Sequence, residues 1–294
     1  MAATVEMNES VGRKQAGRFR LVFRRLKRNR MAIVGLVILI ALALAAVFAD
    51  YVAPYHFAKQ NLMSSYESPS WKHLFGTDEF GRDIFSRVVY GARTSLIIGF
   101  IAVGFGVVTG GLLGAVSGFY SGRLDNFIMR CMDVLLSIPE TLLAIAIAAT
   151  LGPGMFNLMV AVGIASIPGY ARMVRSVVLS IREQEFIEAA RAVGSSDVFI
   201  IFRHILPNCM APLIVQATLG VGAAIFTAAG LSFIGLGIQP PDPEWGAMLS
   251  GGRSYIRDYP YMTIFPGLAI MITVLAMNFL GDGLRDALDP KLKR

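Results

Sequence analysis

The sequence predicts an all-α polytopic membrane protein with six transmembrane helices and both termini on the cytoplasmic side. Three observations carry this. Of 294 residues 55% are hydrophobic and only 16% charged, where a soluble domain carries about 25% charge. Six apolar runs are each long enough to span a bilayer. Lysine and arginine are distributed unevenly between the connections, as the retention of positive charge in cytoplasmic loops requires.

The first run, MAIVGLVILIALALAAVFA at 31–49, holds 19 residues without a polar side chain and at ~1.5 Å per residue nearly crosses a ~30 Å hydrocarbon core. A cleaved signal peptide is the rival reading, since basic residues precede the run and VFA resembles a cleavage site. An apolar signal core is, however, usually only about 7 to 15 residues long. The other runs are 95–119, 127–151, 156–173, 211–236 and 263–280. With an inside N-terminus, 20 of the 27 basic residues fall on one side, nine of them before the first span. The predicted organisation is a basic segment 1–30, a first span 31–53 and an extracytoplasmic loop 54–94. A transmembrane core 95–280 follows, containing a cytoplasmic loop 176–208 and an extracytoplasmic loop 237–262, and a cytoplasmic tail 281–294 closes the chain.

RFRLVFRRLKRNR at 18–30 sets apolar residues among seven cations, which suits either a helix lying on anionic lipid or an unstructured topology signal. In the second span Gly106, Gly110, Gly114 and Gly118 form a ladder at spacing four. Such a stripe lets another helix approach backbone to backbone, where dispersion must supply the association that lipid does not reward. The third run carries Arg130, Asp133 and Glu140 on one helical face. Arg130 and Asp133 are expected to pair, and Glu140 to line a pathway or make a structural pair, because a charge in hydrocarbon is costly. In the fifth span Gln216, Thr218 and Thr227 offer a polar, uncharged route.

The two cysteines and three histidines lie scattered, so no metal site is expected. GTDEFGRD at 76–83 imitates a phosphate loop, yet arginine and aspartate replace its lysine and hydroxyl. It is not an ATP site. No other catalytic motif is present, and nothing points to nucleic acid. If the chain moves solute, the energy comes from elsewhere.

The charged stretch EAARAVGSSDVFIIFRHILPN at 188–208 interrupts the spans. Good helix formers precede Gly194, Ser195 or Ser196 can cap a second helix, and Pro207 is expected to stop it. The unit should expose Ala189 and Ala190 between Glu188 and Arg191, small residues for close docking and charges for register. PPDPEWG at 240–246 reads as a rigid loop presenting Glu244 and Trp245, for docking or as a gate, or else bracing span six.

Glu188, Ala189, Ala190, Gly194, Leu206 and Pro207 resemble the EAA motif of permease subunits from binding-protein-dependent ABC importers. GTDEFGRDIFSRVVYGARTSL, LSFIGLGIQPPDPEWGAML and GDGLRDALDPKLKR are similar to the second-permease branch of dipeptide and oligopeptide systems, which includes nickel and glutathione importers. His204 departs from the pattern. The resemblance implies a type I ABC importer permease fold in the bacterial inner membrane. It also implies a homologous second permease, two ATPase subunits holding ATP and magnesium, and an extracytoplasmic binding protein. Glu188, Ala189, Ala190, Arg191 and Gly194 would then couple to the ATPases. A stand-alone secondary transporter and a membrane scaffold or sensor are the rival classes.

Overall fold

The computed structural model describes residues 24–288. The predicted interfacial helix at 18–30 and the end of the tail lie partly outside them. The described chain is almost wholly helical: α1 (Arg30–Val47), α2 (Ile84–Tyr120), α3 (Gly122–Leu136), α4 (Glu140–Leu151), α5 (Met155–Ile181), α6 (Glu185–Ala192), α7 (Asp197–Ile200), α8 (Leu206–Phe233), α9 (Trp245–Gly252) and α10 (Tyr261–Leu288). Among the described residues five helices are long and apolar enough to cross a membrane, the α7–α8 unit counting as one. The bent pair α3 and α4 could supply a sixth crossing.

The second apolar run extends backwards into the polar loop, because Asp83 caps α2 and accepts the Ser86 N–H at 2.7 Å. The third run departs from expectation. α3 and α4 meet at 86° across the break at 137–139, where Pro139 stands just ahead of α4. Asp125 and Asp133 of α3 reach Arg175 and Arg172, only three residues apart on α5. Helix α3 therefore runs across α5, not along it. The break separates Glu140 from the face that carries Arg130 and Asp133, and Asp133 pairs with Arg172 at 2.6 Å instead of with Arg130.

The glycine ladder packs α2 against α5 inside this chain. A β-carbon at Gly110 would stand 2.6 Å from the Ile167 carbonyl, one at Gly118 2.8 Å from the Val178 side chain, and one at Gly114 would overlap the Ala171 carbonyl. The shared core holds Ile98, Ala102, Leu158, Val174, Val178 and Ile225, all buried. Helix α10 lies against both α1 and α8.

Helix α8 does not begin at a stop. Asp197 to Phe233 is one helix of 37 residues, which widens into a π turn at Ile201–Ile205 just before Pro207. A proline ring crowds the carbonyl four residues earlier, here that of Arg203 within the π turn. The extra width absorbs the clash, so Pro207 passes the helix on where the sequence suggested an end.

Candidate coupling and translocation site

The charged insertion is a helix, a corner and a second helix. Gly194 has φ +78°, and its N–H bonds to the Arg191 carbonyl while the Ser195 N–H reaches Ala190. This pair of bonds is a Schellman turn, which favours glycine because only glycine takes that φ without strain. Ser196, rather than Ser195, caps the next helix by accepting from the Phe199 N–H. Ile187, Ile200 and Ile205 are fully buried and join the core.

Glu188, Ala189 and Arg191 face outward on α6, whereas Ala190 is buried. The expectation of two exposed alanines is thus corrected: one alanine faces out and one seats the helix. The Arg191 guanidinium lies 5.1 Å from the centre of the Phe119 ring at the end of α2. Tyr120 faces the Asp197 carboxylate. Arg182, at the end of α5, donates to the Gly118 carbonyl at 3.1 Å and to the Ser121 hydroxyl. One turn of α2 is therefore tied to α5, α6 and α7 together. Sequence reading missed Phe119, Tyr120 and Arg182, for which adjacency in the chain carries no signal. His204 acquires a place here, its ring edge-on to Phe199 at 5.7 Å and 6.3 Å from Phe186. It wedges the π turn between α6 and α7.

Of the residues assigned to a polar route, Glu140 opens α4 and is exposed. Gln216 and Thr227 fall about 20° apart around α8 at 100° per residue, Gln216 exposed and Thr227 half-buried. Thr218 lies on the opposite side, its hydroxyl donating to the Ile214 carbonyl at 2.9 Å. The structure brings Gln216 and Thr227 to one face and leaves Thr218 off it.

At the far end Glu244 and Trp245 are buried, at 1% and 0% exposure. The Trp245 indole N–H donates to the Val88 carbonyl at 3.0 Å, and its ring fits where Gly91 has no side chain. Glu244 accepts from the Gly246 and Ala247 N–H groups and so caps α9. Neither side chain is presented outward as the sequence suggested; both pin the loop to the bundle. Arg87 completes the clamp, donating to the Phe57 and Pro241 carbonyls. In the imitation phosphate loop Asp78 accepts from the Arg82 side chain at 2.6 Å, and Asp83 is taken up by Ser86 and by His73 at 2.9 Å.

A helical bundle with a structured, charged two-helix element at one end is the architecture of an importer's membrane subunit. The inward-facing methionine ABC transporter MetNI contains a chain of this fold, with a TM-score of 0.57 and 22% identity over 69% of this chain and 96% of that one. The chain belongs to the family of binding-protein-dependent transport system inner membrane components, which it matches over residues 110–294. Residues 17–69 match the N-terminal transmembrane domain of oligopeptide transport permease C. Its relatives include a dipeptide transport permease of Alkalihalophilus pseudofirmus, 51% identical over 94% of this chain and 90% of that protein. A di/tripeptide permease of Pseudomonas aeruginosa is 46% identical over 90% and 89%. A glutathione permease of Escherichia coli is 50% identical over 92% and 90%. The chain is accordingly an inner-membrane component of a bacterial transport system.

Proposed function

We propose that this chain is a transmembrane permease subunit of an ATP-driven importer that moves dipeptides and short oligopeptides across the cytoplasmic membrane. The observation that carries the reading is the α6 element, apolar where it meets the bundle and charged where it faces out. The peptide assignment draws on the relatives described for dipeptides and di/tripeptides. Glutathione, itself a tripeptide, is the second reading and is favoured by a relative of similar identity.

In this reading the basic end lies in the cytoplasm, with both termini, and the chain hydrolyses nothing itself. ATP and magnesium sit on two partner ATPases, whose clefts grip Glu188, Ala189 and Arg191. A homologous second permease completes the pathway, and an extracytoplasmic binding protein delivers cargo at the end braced by Trp245. Closure of the ATPases displaces α6. The Arg191–Phe119 contact carries that displacement into α2. The unbroken Asp197–Phe233 helix, about 55 Å long at 1.5 Å per residue, carries it along the face of Gln216 and Thr227. Nucleotide shifts the two orientations only by its differential hold on them.

The test is uptake of a labelled dipeptide into proteoliposomes containing the complete importer. Uptake that requires both ATP and the binding protein is expected. Uptake by this chain alone, driven by an ion gradient, would show a secondary transporter instead.

A further inference from the structure

Tyr170 lies outside every motif, yet three glycines on two helices clear a path for it. Its ring leaves α5 beside Gly106 and Gly110 of α2, where added β-carbons would stand 3.3 and 2.9 Å from its atoms. It ends at Gly220 of α8, where a methyl group would overlap the Tyr170 hydroxyl. Tyr170 is only 5% exposed, and its hydroxyl takes no hydrogen-bond partner among the described residues. The fully enclosed side-chain atoms without a partner there are those of Ser232 and Tyr261, so the Tyr170 oxygen keeps an opening through which a phenol hydroxyl can take a partner.

Gly220 falls about 40° from Gln216 and about 20° from Thr227 around α8, so the hydroxyl arrives at the same face as both. Glu140, the first residue of α4, lies close enough to act on that hydroxyl electrostatically. No cation among the described residues pairs with the Glu140 carboxylate. The depths agree as well. At 1.5 Å per residue, Glu140 is about 17 Å from the far end of α4, Tyr170 about 22 Å from that of α5 and Gly220 about 20 Å from that of α8.

We propose that the Tyr170 hydroxyl and the Glu140 carboxylate form a subsite for the charged amino terminus of a peptide in transit, with Gly220 as its floor. An ammonium group carries three donors and no acceptor. The carboxylate takes its charge, the phenol oxygen takes a second N–H, and the amide of Gln216 faces the same space to meet the peptide backbone. The proposal rests on the peptide reading above and adds to it residues and a polarity of binding.

The experiment uses the complete importer in proteoliposomes, with the wild type establishing peptide uptake independently of the variants. Tyr170→Phe keeps the ring and Glu140→Gln keeps the volume, so both should assemble. Uptake of alanyl-alanine per ATP hydrolysed is expected to fall about tenfold in each, while binding-protein-stimulated hydrolysis stays within about twofold. In the binding-protein-free complex, a photoreactive dipeptide should label α5 or α8, alanyl-alanine should compete, and N-acetyl-alanyl-alanine should not. Equal competition by the acetylated peptide, or unchanged uptake per ATP in both variants, would overturn the subsite. Loss of the second permease from purified Glu140→Gln complexes would also overturn it, assigning the carboxylate to subunit contact. Failure of the wild type to import peptide would instead sink the functional reading.

Discussion

Gly194 shows how a single residue sets the geometry of the proposed coupling element. With φ +78° and open space around its missing β-carbon, alanine there meets backbone strain alone, roughly 1 kcal/mol. Proline fixes φ near −65° and removes the N–H that bonds to Arg191. Gly194→Pro should leave membrane insertion intact and uncouple hydrolysis from uptake, whereas Gly194→Ala should retain most coupling; paired ATPase and uptake assays compare them. Trp245 acts at the other end. Its complete burial and bond to Val88 predict that Trp245→Ala costs about 3 to 5 kcal/mol, seen as a lowered Tm, with affinity for the loaded binding protein preserved once folded. Glu244 brings a pH dependence. Burial pushes its carboxyl up despite the bonds from Gly246 and Ala247. A raised carboxyl holds its proton more tightly in the folded state. Its stabilising contribution is therefore full below the ordinary value near ~4.3 and is lost as pH rises through the higher folded value. Glu244→Gln should gain Tm relative to wild type as pH rises from about 4.5 to 8; a gap independent of pH would contradict this.

Among the elements, the spans were legible because apolar length alone marks them, and 31–49 maps onto α1 almost residue for residue. The break in 127–151 was not, although Pro139 stood in view. Periodicity treats an apolar run as one helix, and the 86° bend between α3 and α4 shows only in three dimensions. Pro207 misled in the opposite direction, because a π turn can absorb a proline that composition reads as a terminator. The glycine ladder was legible as a contact but not as to its partner; Ile167, Ala171 and Val178 of α5 identify it. Gly114→Val should therefore separate α2 from α5, its β-carbon overlapping the Ala171 carbonyl. Overpacking of this kind typically costs about 1 to 3 kcal/mol and more when backbone is met. Reduced accumulation of folded protein in the membrane, with Gly114→Ala falling between wild type and Gly114→Val, would support the pairing. Unaltered accumulation and Tm would argue against it.

For the whole molecule, the structure turns a chain of runs into two linked ends. At one end Trp245 and Arg87 lock the loops onto the bundle, Arg87 reaching Asp78 as well as the Pro241 carbonyl. At the other, the last turn of α2 meets α5, α6 and α7. Glu188, Ala189, Arg191 and Gly194 could be singled out as candidates because a short polar motif stands out against an apolar background. Phe119 and Tyr170 could not, since aromatic residues in apolar runs look like packing until their neighbours are known. In the function proposed, force enters this subunit through α6 and nowhere within its spans. The most direct test measures dipeptide uptake and ATP hydrolysis side by side in the reconstituted importer carrying Glu188→Lys. The prediction is a complete, membrane-inserted complex whose peptide imported per ATP falls at least tenfold; wild-type uptake at the wild-type ratio would contradict it.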